Sequence, residues 1–272
     1  MTIARTLNFV IIAPDRLWQS GDMGMVRALE YRAQGRGLRI NWEVCNYGEP
    51  LELNQASAVI IGGRTIANPS SLMDDLDRLK KRVLLEAVEE GVPLFAQGAG
   101  LALCSDAFES VNGRRYNGLG IFDTISLRPS LRARSGDLVL WAPWLSEAPD
   151  YSGNITAPVR TELSNVDVSA KELILGYEKQ GRRFVNVSGD QALGQILYST
   201  DKHIEREYEG IRQGTAIGTH AQGSLLPLNP ALTDRILSNA LGFLDAGPLA
   251  PMSSVAETKV RMRIMERILH ED

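Results

Sequence analysis

Along the first hundred residues of this chain, apolar and polar positions switch between two periods, and the switches mark out a series of strand–helix units. Residues 7–13 form an apolar run broken only by Asn8, fit for a central parallel strand. A polar loop over 14–22 leads into residues 23–35, where Met25, Leu29 and the Tyr31-Arg32 pair recur at helical spacing before Gly35 and Gly37 stop the pattern. Leu38, Ile40, Trp42 and Val44 alternate strictly, which predicts a strand with one open face. Residues 58–61 predict a third strand ending abruptly at Gly62-Gly63. Ser70 or Ser71 is positioned to cap a long charged helix running to about Glu90, with Gly91 closing it. A fourth strand follows over 92–96. Repeated units of this kind predict a three-layer α/β fold with a doubly wound, mostly parallel sheet, and ligands at the C-terminal ends of its strands.

Beyond residue 108 the pattern changes. Short β segments are predicted over 118–123, 137–141, 172–177, 183–187 and 194–198, with a Pro- and Ser-containing stretch at 142–158. Together they predict an antiparallel insertion packed against the parallel sheet. Residues 215–219 return to the core, and Pro230 opens a helix running to 244. The Gly-Pro-Leu-Ala-Pro run at 247–251 reads as a linker. After it, Val255, Val260, Ile264, Ile268 and Leu269 form one helical stripe opposite Arg261, Arg263, Glu266 and Arg267. The expected organisation is a domain over 1–246, a linker over 247–253 and an amphipathic helix over 254–272, docked on its own domain or on a neighbouring subunit.

Composition narrows the function classes. With 272 residues, 44% hydrophobic and 23% charged, the chain can bury a substantial core. A net charge of −4 gives no basic field, which argues against nucleic acid and anionic membranes. The apolar run near the N-terminus spans about seven residues, too few to insert in a membrane. Two cysteines and three scattered histidines supply neither a disulfide framework nor metal-ligand spacing. The expectation is a cytoplasmic protein with no cofactor and no metal.

The stretch with chemical character is VPLFAQGAGLALCSDAF, residues 92–108. A strand, a small-residue turn at Gln97-Gly98-Ala99-Gly100 and a helix from about Leu101 have the outline of a nucleophile elbow. Such a turn pushes one side chain out beside the N–H groups of a helix start. The expected projecting residue is Gln97, and a carboxamide is no nucleophile. A second stretch, IGTHAQGSLLPLNPALTDRIL at 217–237, supplies His220 and Gln222, which share a side if 219–222 is extended.

These two stretches, the strand ending in Gly62-Gly63, the GLGIFD segment and the opening APDRLWQSGDMGMVRALEYRAQGRGL resemble class I glutamine amidotransferase domains of the cobyric acid synthase type. Within that group they are most similar to the glutaminase subunit of bacterial lipid II isoglutaminyl synthase, which partners a Mur-ligase-like subunit. The matched segments span most of residues 8–245 and leave out the tail. The family's elbow carries a cysteine that attacks the glutamine amide, and its late motif carries a histidine base. The resemblance puts Gln97 at the nucleophile position and Gln222 at the base position. It also implies a substrate pocket formed by Gly62, Gly63, Arg64, Gln97, Gly98, His220 and Gln222, with Arg132 or Arg134 holding the substrate. Leu101 stands where the family has glutamine.

Other residues have structural readings. Cys104 falls on the helix after the elbow as a small core residue. His203 and His270 lie in charged surroundings, and Asp74, Asp75 and Asp77 beside Arg78, Lys80 and Lys81 form a solvated helix face. Two functions remain. One is a glutamine amidotransferase-like subunit without glutaminase activity, a partner or regulator of a Mur-ligase-like ATP-dependent amidating ligase, with glutamine or a related small molecule as the candidate ligand of its pocket. The other is a working amidotransferase or hydrolase built on His220 and residues not identified by motif.

Overall fold

The computed structural model describes residues 5–18, 22–63, 66–127, 135–147, 169–178, 183–185, 187–200 and 207–270. In chain order the first half runs β1 (Arg5–Ile12), α1 (Pro14–Leu17), α2 (Met23–Gln34), β2 (Leu38–Cys45), β3 (Ala58–Ile61), α3 (Pro69–Leu79), α4 (Lys81–Glu89), β4 (Leu94–Gln97) and α5 (Ala99–Cys104). The second half runs β5 (Ser105–Glu109), β6 (Arg115–Asn117), β7 (Phe122–Leu127), β8 (Gly136–Trp141), β9 (Leu173–Glu178), β10 (Arg183–Val185), β11 (Gly194–Ser199), β12 (Tyr208–Glu209), β13 (Ile211–Gln213) and β14 (Ala216–Thr219). Three helices follow: α6 (Leu225–Leu228), α7 (Pro230–Phe243) and α8 (Val255–His270).

Six strands form the central sheet in the order β13-β14-β4-β3-β1-β2, all parallel except β13. Its inner strands are buried on both faces, which is why they read as apolar runs without alternation. Leu7, Phe9, Ile11 and Ile60 pack on α2, α6 and α7, while Val10, Ile12, Val59 and Ile61 pack on α3, α4 and α5. This is the three-layer architecture that the strand–helix periodicity predicts. Strand β2 lies at the edge, and its alternation is that of a strand with one side on the core.

The insertion is larger than expected and consists of two sheets. One has the order β12-β11-β8-β9 and is antiparallel throughout. The other, β10-β7-β5-β6, is mixed, because β5 and β7 run parallel. Strand β5 begins where α5 ends, so the elbow helix has only six residues. The 118–123 segment begins as a loop: the N–H groups of Leu119 and Ile121 donate back to the carbonyls of Leu103 and Cys104, and the strand starts at Phe122.

Two helix expectations need correction. The charged helix predicted up to Glu90 is split at Lys80, and Asn68, rather than Ser70 or Ser71, caps it by accepting from the Ser71 N–H, with Pro69 in the first turn. The break places Lys80 in the interior, 2.7 Å from Asp75, with side chains 0% and 3% exposed. Asp75 therefore belongs to a buried ion pair, which also takes the Gly48 N–H, and not to a solvated face. In α8 the buried side is rotated from the predicted stripe. Ile264, Met265 and Ile268 pack on Val139, Leu173 and Leu175, Val255 and Val260 are exposed, and Arg261 is buried. Its guanidinium donates to the carbonyls of Ala170, Leu173 and Leu228, so the residue expected in solvent anchors the helix. A second anchor joins three helices: Arg32 of α2 forms a two-pronged pair with Asp234 of α7 and also reaches Glu257 of α8.

Candidate functional site

Strands β3, β4 and β14 end side by side, and the candidate site is built on their C-terminal ends. Thr219 is the register partner of Gln97, and the Gly98 N–H donates to the Thr219 carbonyl at 2.7 Å. The turn itself falls one residue later than the motif suggests. Gln97 is the last strand residue, and Gly98 carries the strained torsions, φ 60 and ψ −113. Glycine adopts these torsions freely, and any other residue only under strain. In an elbow the strained residue is the one that projects. Here it is Gly98, which has nothing to project, and Gln97 turns inward to donate to the Ala221 carbonyl at 3.1 Å.

The space above Gly98 is filled. A β-carbon on it would stand 2.3 Å from the Gly63 carbonyl oxygen and 2.9 Å from Gln222 Nε2. Gly63 is held there by its own constraint: with φ 144, a β-carbon on it would meet the Leu17 carbonyl at 2.2 Å. The Gly63 carbonyl accepts the Ala99 N–H at 2.8 Å. The first free donor of the helix start, the group that an elbow enzyme turns towards an oxyanion, is thus occupied within the chain.

His220 and Gln222 do lie on one side of their extended segment, and both approach Gly98. His220 Nδ1 is 3.2 Å from the Gly98 carbonyl, so this nitrogen carries the proton, and Nε2 accepts from the Ser126 hydroxyl at 2.9 Å. Its backbone N–H donates to Glu209, whose carboxylate also accepts from the Thr219 hydroxyl. Ser126, Glu209 and Thr219 are all buried. Gln222 pairs through its backbone with Tyr177 of β9, and its side-chain Oε1 is buried without a partner among the described residues. Gly62 lies at the end of β3, where a β-carbon would sit 3.7 Å from the indole nitrogen of Trp18, which is likewise buried without a partner among the described residues.

Gly62, Gly63, Gln97, Gly98, His220 and Gln222 are therefore gathered around one turn. Arg64, Arg132, Arg134 and His203 lie outside the described residues, as does the side chain of His270. Sequence patterns do not single out Trp18, Ser126, Tyr177 and Glu209. Ser126 occupies an inward position of β7, and its alternation with Thr124 is the one signal that it points to the core. Cys104 is fully buried at the end of α5, and burial pushes its thiol far above the ordinary range. Among the described residues no group of three His, Cys, Asp or Glu side chains is placed to hold a metal ion, and no helix is long and apolar enough to cross a membrane.

No family model matches the chain. It is similar to the GatD subunit of lipid II isoglutaminyl synthase (glutamine-hydrolyzing) from Staphylococcus aureus, 26% identical over 226 residues, which is 83% of this chain and 81% of that protein. The corresponding GatD subunit of Streptococcus pneumoniae is 25% identical over 223 residues, 81% of this chain and 75% of that one. Among solved structures, PurLQS from Thermotoga maritima matches with a TM-score of 0.50 at 14% identity, covering 89% of this chain and 99% of that one. Along most of its length, then, the chain is similar to two glutamine-hydrolysing synthase subunits, and its mostly parallel α/β fold is one it shares with PurLQS.

Proposed function

We propose that this chain is a glutaminase-like subunit of a lipid II-amidating complex that has given up glutamine hydrolysis and acts as partner or regulator of a Mur-ligase-like ATP-dependent ligase. Similarity to two GatD subunits over most of the chain supports the subunit reading. The observation that carries the loss of hydrolysis is the state of the elbow. Amide hydrolysis by a covalent route needs a nucleophile, a base to take its proton and donors for the developing oxyanion. At this turn the strained position is Gly98, the nearest late-motif side chain is the carboxamide of Gln222, and the Ala99 N–H is bonded to the Gly63 carbonyl. Each of the three requirements is unmet, and each loss alone costs orders of magnitude in rate.

A second reading, a hydrolase built on His220, has one observation in its favour: the Ser126 hydroxyl donates to His220 Nε2 while Nδ1–H is oriented by a carbonyl. That is a serine–histidine pair with a positioning acceptor. Ser126 is 0% exposed, however, so a substrate carbonyl has no approach to its oxygen. We favour the subunit without hydrolytic activity.

The test is a coupled ammonia-release assay on the pure chain, alone and co-expressed with a Mur-ligase-like ATP-dependent ligase of the same organism. Release at the background rate in both samples, with the two chains co-purifying, is the expected result. Turnover that disappears in His220→Ala would promote the hydrolase reading. Turnover that survives His220→Ala, or failure of the two chains to co-purify, would overturn the proposal. Installing Gly98→Cys together with Gln222→His is expected to give no activity, because the Gly63 carbonyl occupies the space that the new thiol needs.

A further inference from the structure

Strand β2 closes one side of the central sheet, and no strand pairs with its outer side among the described residues. Its eight residues run in unbroken register with β1, without a bulge. The Cys45 carbonyl accepts from the Ala13 N–H, so it is turned towards β1. Backbone groups alternate in direction along a strand, and those of Arg39, Asn41 and Glu43 therefore face β1 as well. Leu38, Ile40, Trp42 and Val44 turn their N–H and C=O groups to the open side. Natural proteins guard such an edge with proline, lysine, a bulge or a very short strand. Residues 38–45 contain neither proline nor lysine.

The charges of β2 are complementary to their own reverse. Arg39 and Glu43 stand two places on either side of Asn41, and all three are exposed on the same face. Neither Arg39 nor Glu43 has an ion-pair partner among the described residues. Two antiparallel copies of β2 exchange hydrogen bonds only through the outward-facing residues, which limits pairing to registers that set even-numbered positions opposite one another. With the two-fold axis at Asn41, each Arg39 lies opposite the other copy's Glu43. Moving the axis to Ile40 or Trp42 sets Asn41 opposite Arg39 or Glu43 instead, and both ion pairs are lost. The axis at Asn41 also places Ile40 against Trp42, and Val44, which is 50% exposed, against Leu38. Cross-strand pairs of these kinds are the units that stabilise a sheet.

We propose that β2 is a self-association edge, at which a second copy of this chain adds its own β2 antiparallel about a two-fold axis at Asn41. Two six-stranded sheets then continue as one. Such a contact lies at the small end of interface sizes, below about 1,200 Å², so the dimer is weak and reversible. The edge is two strands away from β3 and the turn at Gly98. The proposal stands whether or not the glutaminase-like reading holds.

The test is sedimentation equilibrium on the full chain over about 5–300 µM, a range in which an interface of this size dissociates at the lower end. The mass is expected to rise from one copy to two and no further. Glu43→Arg and Arg39→Glu each set like charges opposite one another twice, and each should weaken the dimer by about tenfold or more. Combining the two restores opposite charges, and the double variant should recover the original affinity to within about threefold. The register has its own readout. Asn41→Cys brings two thiols to a pair that exchanges no hydrogen bonds, with Cα atoms about 4.5 Å apart, and mild oxidation should trap it as a covalent dimer. Glu43→Cys holds its thiols apart and should escape trapping, and the native Cys45 and Cys104 are buried. A single-copy mass across the whole range would overturn the proposal. So would a dimer indifferent to both charge reversals, or one that the combined variant does not recover. Trapping of Glu43→Cys as readily as Asn41→Cys would overturn the register.

Discussion

Gly98 and its neighbour Gln97 differ in a way that a string of letters conceals. Both stand in a run of small residues between a strand and a helix, and only backbone torsion identifies which of them projects. The glycines at 98 and 100 were readable as a turn, but the positive φ was not, so the expected projecting residue is one place early. Replacement of Gly98 by alanine is predicted to cost about 3 kcal/mol, since torsional strain alone is worth roughly 1–3 kcal/mol and a clash adds to it. Gly113 has a similar φ of 74 with nothing within 4 Å of a β-carbon. Alanine there should cost only the torsional part, about 1 kcal/mol. Urea midpoints of the two variants separate strain from collision, and equal losses would show that the Gly63 carbonyl yields. Cys104 gives a second prediction. Burial keeps its thiol protonated in the folded chain, so it should resist iodoacetamide at pH 8 until the protein unfolds. Above the ordinary thiol pKa of about 9.0 the unfolded chain releases a proton that the folded chain keeps, so this group makes stability fall as pH rises. Alkylation of Cys104 at native urea concentrations would contradict both statements.

Among the elements, those with a dominant local signal were legible. Strands β1 and β3 announce themselves as apolar runs, α2 by its spacing and α7 by Pro230 in its first turn. Strand β5 was not visible, because Ser105 to Glu109 has little apolar content and is held by pairing with both β6 and β7. The break between α3 and α4 depends on Lys80 finding Asp75 inside the protein, a tertiary event that helical periodicity cannot encode. Helix α8 was predicted correctly as a helix and incorrectly in its facing, since a buried arginine with three carbonyl partners outweighs the aliphatic pattern. The anchor at its N-terminal end makes a specific prediction. Asp234→Asn leaves the Arg32 and Arg36 side chains, 2% and 1% exposed, without their shared carboxylate. The expected loss is about 3–5 kcal/mol, measured by chemical denaturation. A loss below 1 kcal/mol would mean that Glu257 can hold both guanidinium groups alone.

For the whole molecule, the two large core clusters lie on opposite faces of one sheet, whereas the cluster under α8 is separate and small. Ending the chain at Gly247 would uncover Val139, Leu173 and Leu175 and remove the donors that satisfy three carbonyls. The truncated protein is expected to melt several degrees lower while keeping the central sheet, as judged by circular dichroism. In the intact chain, amide exchange in α8 should be faster than in β3 and β4, because undocking a satellite element costs less than opening the core. Unchanged melting after truncation would show that the helix contributes nothing to folding.

The contact between Gly63 and Gly98 also bears on how such a fold can change over generations. Substitution alone cannot put a side chain at this turn, because the carbonyl opposite must first withdraw and Gly63 must leave the torsion that points it there. Either change made singly is selected against through stability before any chemistry exists to reward it. A fold whose turn is closed in this way is expected to accept change at its surfaces and loop tips well before it accepts change at Gly63 or Gly98.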